Sequence, residues 1–213
     1  MKRQQAFTLI ELLVVISIIA LLISILLPSL AAARSTARRV ICMNNIRQLG
    51  MSFEMYAEDN HRTWPGRAGW GWSTISPWVP NRGVTESVFD VAKGSLYDYA
   101  RSRTIYQCPG WPNPRKLSYS QNSMLNAKPT ATRRGQGKDH VKPDFLESPD
   151  EFINLVDEAG HANDGSFIPA EYHNRLNWHH MDTTNFMMAD MHVINMPRDD
   201  PYIYQAGEKK PWF

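Results

Sequence analysis

The polar and apolar positions divide the chain into three stretches. From Phe7 to Ala33 the sequence is FTLIELLVVISIIALLISILLPSLAAA, apolar throughout except for one charge, Glu11. The 22 uncharged residues from Leu12 to Ala33 cover roughly 33 Å as a helix, enough to cross a bilayer hydrocarbon core of about 30 Å. No breaker follows Ala33, and Cys42, Ile46, Leu49, Phe53 and Tyr56 recur at the three- and four-residue spacings of one helical stripe. Arg39, Asn45, Gln48 and Glu58 fall mostly off that stripe. The pattern predicts one helix to about Asp59, with an apolar first half, an amphipathic second half, a weak point at Gly50 and a stop at Asn60.

Beyond His61 the pattern shortens. Thirteen of the 14 prolines and all seven tryptophans lie there, which excludes further long helices. Residues 63–83 read as a structured loop in which the tryptophans form core. Gly94 to Arg101 predicts a short helix, Ile105 to Cys108 a short strand, and 127–142 an exposed loop. Phe152 to Val156 reads as a strand, and Thr184 to Ala189 with His192 to Asn195 as a hairpin turning at Asp190-Met191. The predicted fold class is α+β: a long N-terminal helix packed on a small antiparallel sheet.

Composition narrows the function classes. A formal net charge of +2 on 213 residues, 23 basic against 21 acidic, provides no field for gripping nucleic acid, and 11% aromatic residues argue against a disordered chain. A cleaved secretory signal would have a shorter apolar core, and this run opens on a carboxylate. Glu11 beside an apolar span is costly to insert and therefore calls for a partner. Pro28 removes one backbone hydrogen bond within the span and loosens the helix there.

The leader and Phe7-Thr8-Leu9-Ile10-Glu11-Leu12-Leu13-Val14-Val15 resemble the N-terminal signal of bacterial type IV pilins and type II secretion pseudopilins. That resemblance implies a prepilin peptidase that cuts between Ala6 and Phe7 and methylates the Phe7 amine. Ala6 stands where the family usually has glycine. A second resemblance covers most of the chain: Cys42-Met-Asn-Asn-Ile-Arg-Gln-Leu-Gly50, Cys108-Pro109, Ser118-Tyr119-x-x-Asn122 and His180-x9-Asp190 are similar to a group of pilin-like proteins ending in His-x9-Asp-Gly, with Met191 here in place of the glycine. The implied domains are a leader (1–6), a transmembrane and assembly half-helix (7–33), an amphipathic half-helix (34–60) and a globular head (61–213). The implied location is the inner membrane, single-pass, with the head in the periplasm or extracytoplasmic space, and then a filament. The resemblance, not the charges flanking the span, sets this orientation. Partners would be copies of the chain or other pilin-like subunits, the prepilin peptidase, an inner-membrane assembly platform and membrane lipid, but not nucleic acid. Cleavage would place a cationic amine near Glu11, so that the amine of one subunit and the carboxylate of another could relieve each other's desolvation. Losing Lys2 and Arg3 would also bring the formal charge from +2 to 0.

The cysteines and acids admit further chemistry. Cys42 and Cys108 could form one disulfide in an exported head, or remain buried thiols in a reducing compartment. Histidines 161, 173, 179, 180 and 192 lack the spacing of a zinc motif. Asp157, Glu158 and Asp164 are weak candidates for calcium, a transition metal on the histidines and Asp190 is a weaker one still, and no EF-hand-like loop is present. His180 is expected to hydrogen-bond near the Asp190 turn as a structural clasp. No nucleophile elbow, phosphate loop or dinucleotide fingerprint occurs, so no catalytic residue is assigned. The leading reading is a non-catalytic filament subunit. A singly anchored extracytoplasmic binding domain is the alternative, and an anchored metal-dependent hydrolase around His180 and Asp190 is a distant third.

Overall fold

The computed structural model describes residues 8–66, 78–79, 90–110, 117–122, 146, 148–158, 165–167 and 176–200. It divides into two compact units, Met1–Ala37 and Arg38–Phe213. Helix α1 runs from Leu9 to Asp59 without a break at Pro28 or Gly50. In its second half the predicted stripe of Cys42, Ile46, Leu49, Phe53 and Tyr56 is buried. Asn45, expected off that stripe, is buried too, and its Nδ2 donates to the Gln107 carbonyl at 2.9 Å. The reason is helical spacing: Asn45 lies three residues after Cys42 and four before Leu49, on the same face. The stop is built at Asn60, whose Nδ2 donates to the Tyr56 carbonyl at 2.8 Å. His61 and Arg62 then turn the chain with φ of 57° and 59°.

Among the described residues five strands form one sheet: β1 Tyr119–Asn122, β2 Ile153–Asp157, β3 Ser166–Phe167, β4 Thr183–Met188 and β5 Val193–Pro197, in the order β3-β1-β2-β4-β5. Most pairs are antiparallel, but β3 runs parallel to β1, so the sheet is mixed. The α+β expectation holds, but the sheet is mixed rather than purely antiparallel and gains two strands that the sequence pattern did not predict, β1 and the short parallel edge β3. The predicted strand at Ile105 to Cys108 is instead a 3-10 turn at Thr104–Tyr106. Ile105 and Tyr106 are both buried, whereas adjacent strand residues point to opposite faces. The predicted short helix is present as α2, Tyr97–Ala100.

Apolar side chains cover both faces of the sheet. Met187 of β4 joins Leu155, Tyr119 and the α1 stripe in one cluster, while its neighbours Phe186 and Met188 join Ile153, Val156 and Phe167 in the other. Trp64 and Trp78 belong to the first cluster. The Phe53 ring lies 6.4 Å from Trp64 and 5.8 Å from Trp78, and Trp78 stacks on Tyr106 at 6.1 Å. Trp70 and Trp72 lie outside the described residues.

Candidate functional site

The start of α1 has a local cause. Thr8 is its N-cap: Glu11 N donates to Thr8 Oγ1 at 3.3 Å, while Thr8 N and Thr8 Oγ1 donate to Glu11 Oε2 at 2.9 and 2.7 Å. This reciprocal arrangement is a capping box, for which Thr-x-x-Glu before an apolar run is the sequence signal. Glu11 also places negative charge in the first turn, where the helix dipole favours it. Beyond the cap, the large apolar residues from Leu9 to Leu30 are 47–85% exposed. The span's hydroxyls are satisfied internally, with Ser17 Oγ donating to the Leu13 carbonyl and Ser24 Oγ to that of Leu21, each at 2.7 Å. Among the described residues, α1 is the one helix long and apolar enough to cross a membrane. Pro28 lies within it, and Ala6 and Phe7 lie outside the described residues.

Comparison with known proteins bears on this segment. Residues 1–27 match the family model of the prokaryotic N-terminal methylation motif. A stretch of 61 residues is 43% identical to the type IV wide pilus major component PilA4 of Thermus thermophilus. The N-terminal segment of the chain is type IV pilin-like. The shared stretch is 29% of this chain and 47% of that relative, so the chain spans about half the length of the pilin it matches. No solved structure matches.

The second constellation lies inside the head. Cys42 on the α1 stripe and Cys108, which follows the 3-10 turn, form a disulfide with their Cα atoms 5.2 Å apart. Ser118, just before β1, positions the second cysteine: Ser118 N donates to the Tyr106 carbonyl and Cys108 N to Ser118 Oγ, both at 2.9 Å. His180 Nε2 lies 3.0 Å from Cys108 Sγ and 3.6 Å from Asp157 Oδ2. All four residues are buried. Asn177 Nδ2 donates to Asp157 Oδ1 at 3.0 Å, whereas Oδ2 has no hydrogen-bond partner. Burial pushes the Asp157 carboxyl above the usual carboxylate range, against the opposing pull of His180 and Asn177. Desolvation pushes the neighbouring His179 below the ordinary imidazole value.

The structure gives His180 and Asp190, expected to form one clasp, different partners. His180 faces the disulfide and Asp157, while Asp190 Oδ1 accepts from His192 N at 3.1 Å and lies 2.5 Å from His192 Nδ1. The connection after β4 is three residues long, Ala189-Asp190-Met191, because Met188 N donates to the His192 carbonyl at 2.9 Å. Met191 takes φ 71°, the left-handed position such loops fill most easily with glycine. Of the three calcium candidates, Asp157 faces His180, Glu158 meets Ser120 Oγ, and Asp164 lies outside the described residues.

Proposed function

We propose that this chain is a structural, non-catalytic subunit of a type IV pilus-like or type II secretion filament, cut by prepilin peptidase between Ala6 and Phe7 and methylated on Phe7. Residues 7–33 hold it in the inner membrane with its head outside the cytoplasm, until the assembly platform passes it to copies of itself or to other pilin-like subunits. The observation that carries this reading is an apolar helix, exposed on every side, that opens on a capped carboxylate directly under a methylation motif. The cap engages one oxygen of Glu11. In a filament the carboxylate's charge would pair with the Phe7 amine of a neighbour.

Glu11 thus has two roles to separate, and one substitution does so. Glutamine also serves at the third position of a capping box, so Glu11→Gln retains the helix start and removes the charge. Removing one partner of a desolvated pair costs on the order of 3–5 kcal/mol, a loss of more than a hundredfold in subunit association. Membrane insertion is expected to persist while incorporation into sheared filaments collapses. Mass spectrometry of filament subunits should find Phe7 as the methylated first residue. Equal incorporation of the Gln variant, or an intact Met1 in the mature protein, would favour the singly anchored binding domain instead.

A further inference from the structure

Disulfide formation does not account for all the donor atoms gathered around the cysteines. The two sulfurs, a His180 nitrogen and an Asp157 oxygen all lie within 4.8 Å of one another, on four residues buried in the head. A tetrahedral zinc ion with ligands at about 2.0–2.3 Å needs those atoms roughly 3.3–3.8 Å apart, a small adjustment once the sulfurs are no longer bonded. Two further features suit an ion. Asp157 Oδ2 is buried without a hydrogen-bond partner, while Asn177 holds the other oxygen, as the outer partner of a ligating carboxylate would. Gly110 leaves the space that the imidazole occupies, since a Cβ there would come within 2.6 Å of His180 Cε1.

We propose that in its dithiol state the head binds one zinc ion through Cys42, Cys108, His180 and Asp157. The disulfide and the metal site are then alternative states of one cluster. A phosphine reductant with water donates two electrons to the disulfide, giving two thiols and a phosphine oxide. Zinc then binds as Zn2+ without change of oxidation state, and the two thiol protons leave to solvent as the Zn–S bonds form. Two thiolates with an imidazole and a carboxylate select a soft-to-borderline tetrahedral ion and disfavour calcium, which prefers six or more oxygens. A newly made chain whose cysteines are not yet oxidised would thus have α1 fastened to the head by metal before the covalent bond forms.

The test uses the full chain in detergent, with and without phosphine, titrated anaerobically with Co2+ and then Zn2+. The reduced protein is expected to bind one Co2+ with sulfur-to-cobalt charge-transfer bands and the intense visible bands of a tetrahedral site, which one equivalent of Zn2+ abolishes. The oxidised protein should show neither. His180→Gln and Asp157→Asn should each weaken Co2+ binding by tenfold or more, given that even outer-shell substitutions cost 10–100-fold. The wild-type comparison stands alone should a variant misfold. A weak octahedral spectrum, equal uptake by the oxidised chain, no uptake by a reduced chain with native circular dichroism, a reduced chain that metal does not refold, or undiminished binding by folded variants would each overturn the proposal.

Discussion

Tyr106 shows how a single buried atom sets a measurable cost. Its ring stacks on Trp78, but its hydroxyl is buried with no hydrogen-bond partner. An unpaired buried polar group costs on the order of 1–3 kcal/mol, so Tyr106→Phe should leave stability unchanged or raise it by about 1 kcal/mol. The measurement is the urea midpoint at constant slope. The same burial raises the phenol above its ordinary value of 10, and Tyr119 is likewise raised, by burial and by Asp157. For groups raised in the fold, stability is fully present below the unfolded value and is lost as pH rises toward the folded one. Stability should therefore fall above about pH 10, by roughly 1.4 kcal/mol per pH unit for each tyrosine. Tyr106→Phe should flatten that decline, and an unchanged alkaline limb would mean that the hydroxyl is solvated.

At the scale of elements, two glycines in close contact with the head have different consequences. Gly50 of α1 packs on β4, where a Cβ would meet the Met187 sulfur, the movable part of a flexible side chain. Alanine there recovers about 1 kcal/mol of helix propensity, so Gly50→Ala should end within about 1 kcal/mol of wild type. Gly94 lies against the backbone of Trp78, and a Cβ there would come within 2.9 Å of the Trp78 carbonyl carbon and the Val79 Cα. Trp78 cannot easily retreat, because its ring is buried and its Nε1 donates to the Gly165 carbonyl at 2.9 Å. Gly94→Ala should therefore cost about 1–3 kcal/mol or more, the range of forced overpacking. Thermal unfolding of both variants checks the order, and a Gly50→Ala loss exceeding that of Gly94→Ala would refute it.

For the whole molecule, the disulfide joins the helix to the head across a sequence separation of 66 residues. Closing a loop of that length stabilises by about 4 kcal/mol in the chain-entropy model. The double substitution Cys42→Ser with Cys108→Ser should lose a large part of that amount in urea unfolding of the oxidised protein. Peptide mapping under non-reducing conditions should find the two cysteines joined. A loss below about 1 kcal/mol would show that packing of the α1 stripe already restricts the unfolded chain.

The sequence by itself determined the features that repeat along the chain. The α1 stripe from Cys42 to Tyr56 follows from the 3.6-residue period, the apolar span from an apolar run long enough for a bilayer, and the strand over Phe152 to Val156 and the hairpin ending in β5 from short apolar runs bounded by turn residues. Tertiary structure decided what no period encodes. Strand β1, Tyr-Ser-Gln-Asn, is polar in sequence yet buried, because its side chains find partners far along the chain: Asn122 Nδ2 donates to the Ile153 carbonyl and Ser120 Oγ to Glu158. Likewise, motif spacing points His180 toward Asp190, but it faces the cysteines and Asp157. Four residues from a helix, a turn, a strand end and a loop share no spacing that reveals them. They meet because the helix stripe and the sheet bury their apolar faces together, and the polar atoms carried into that interior must satisfy one another there.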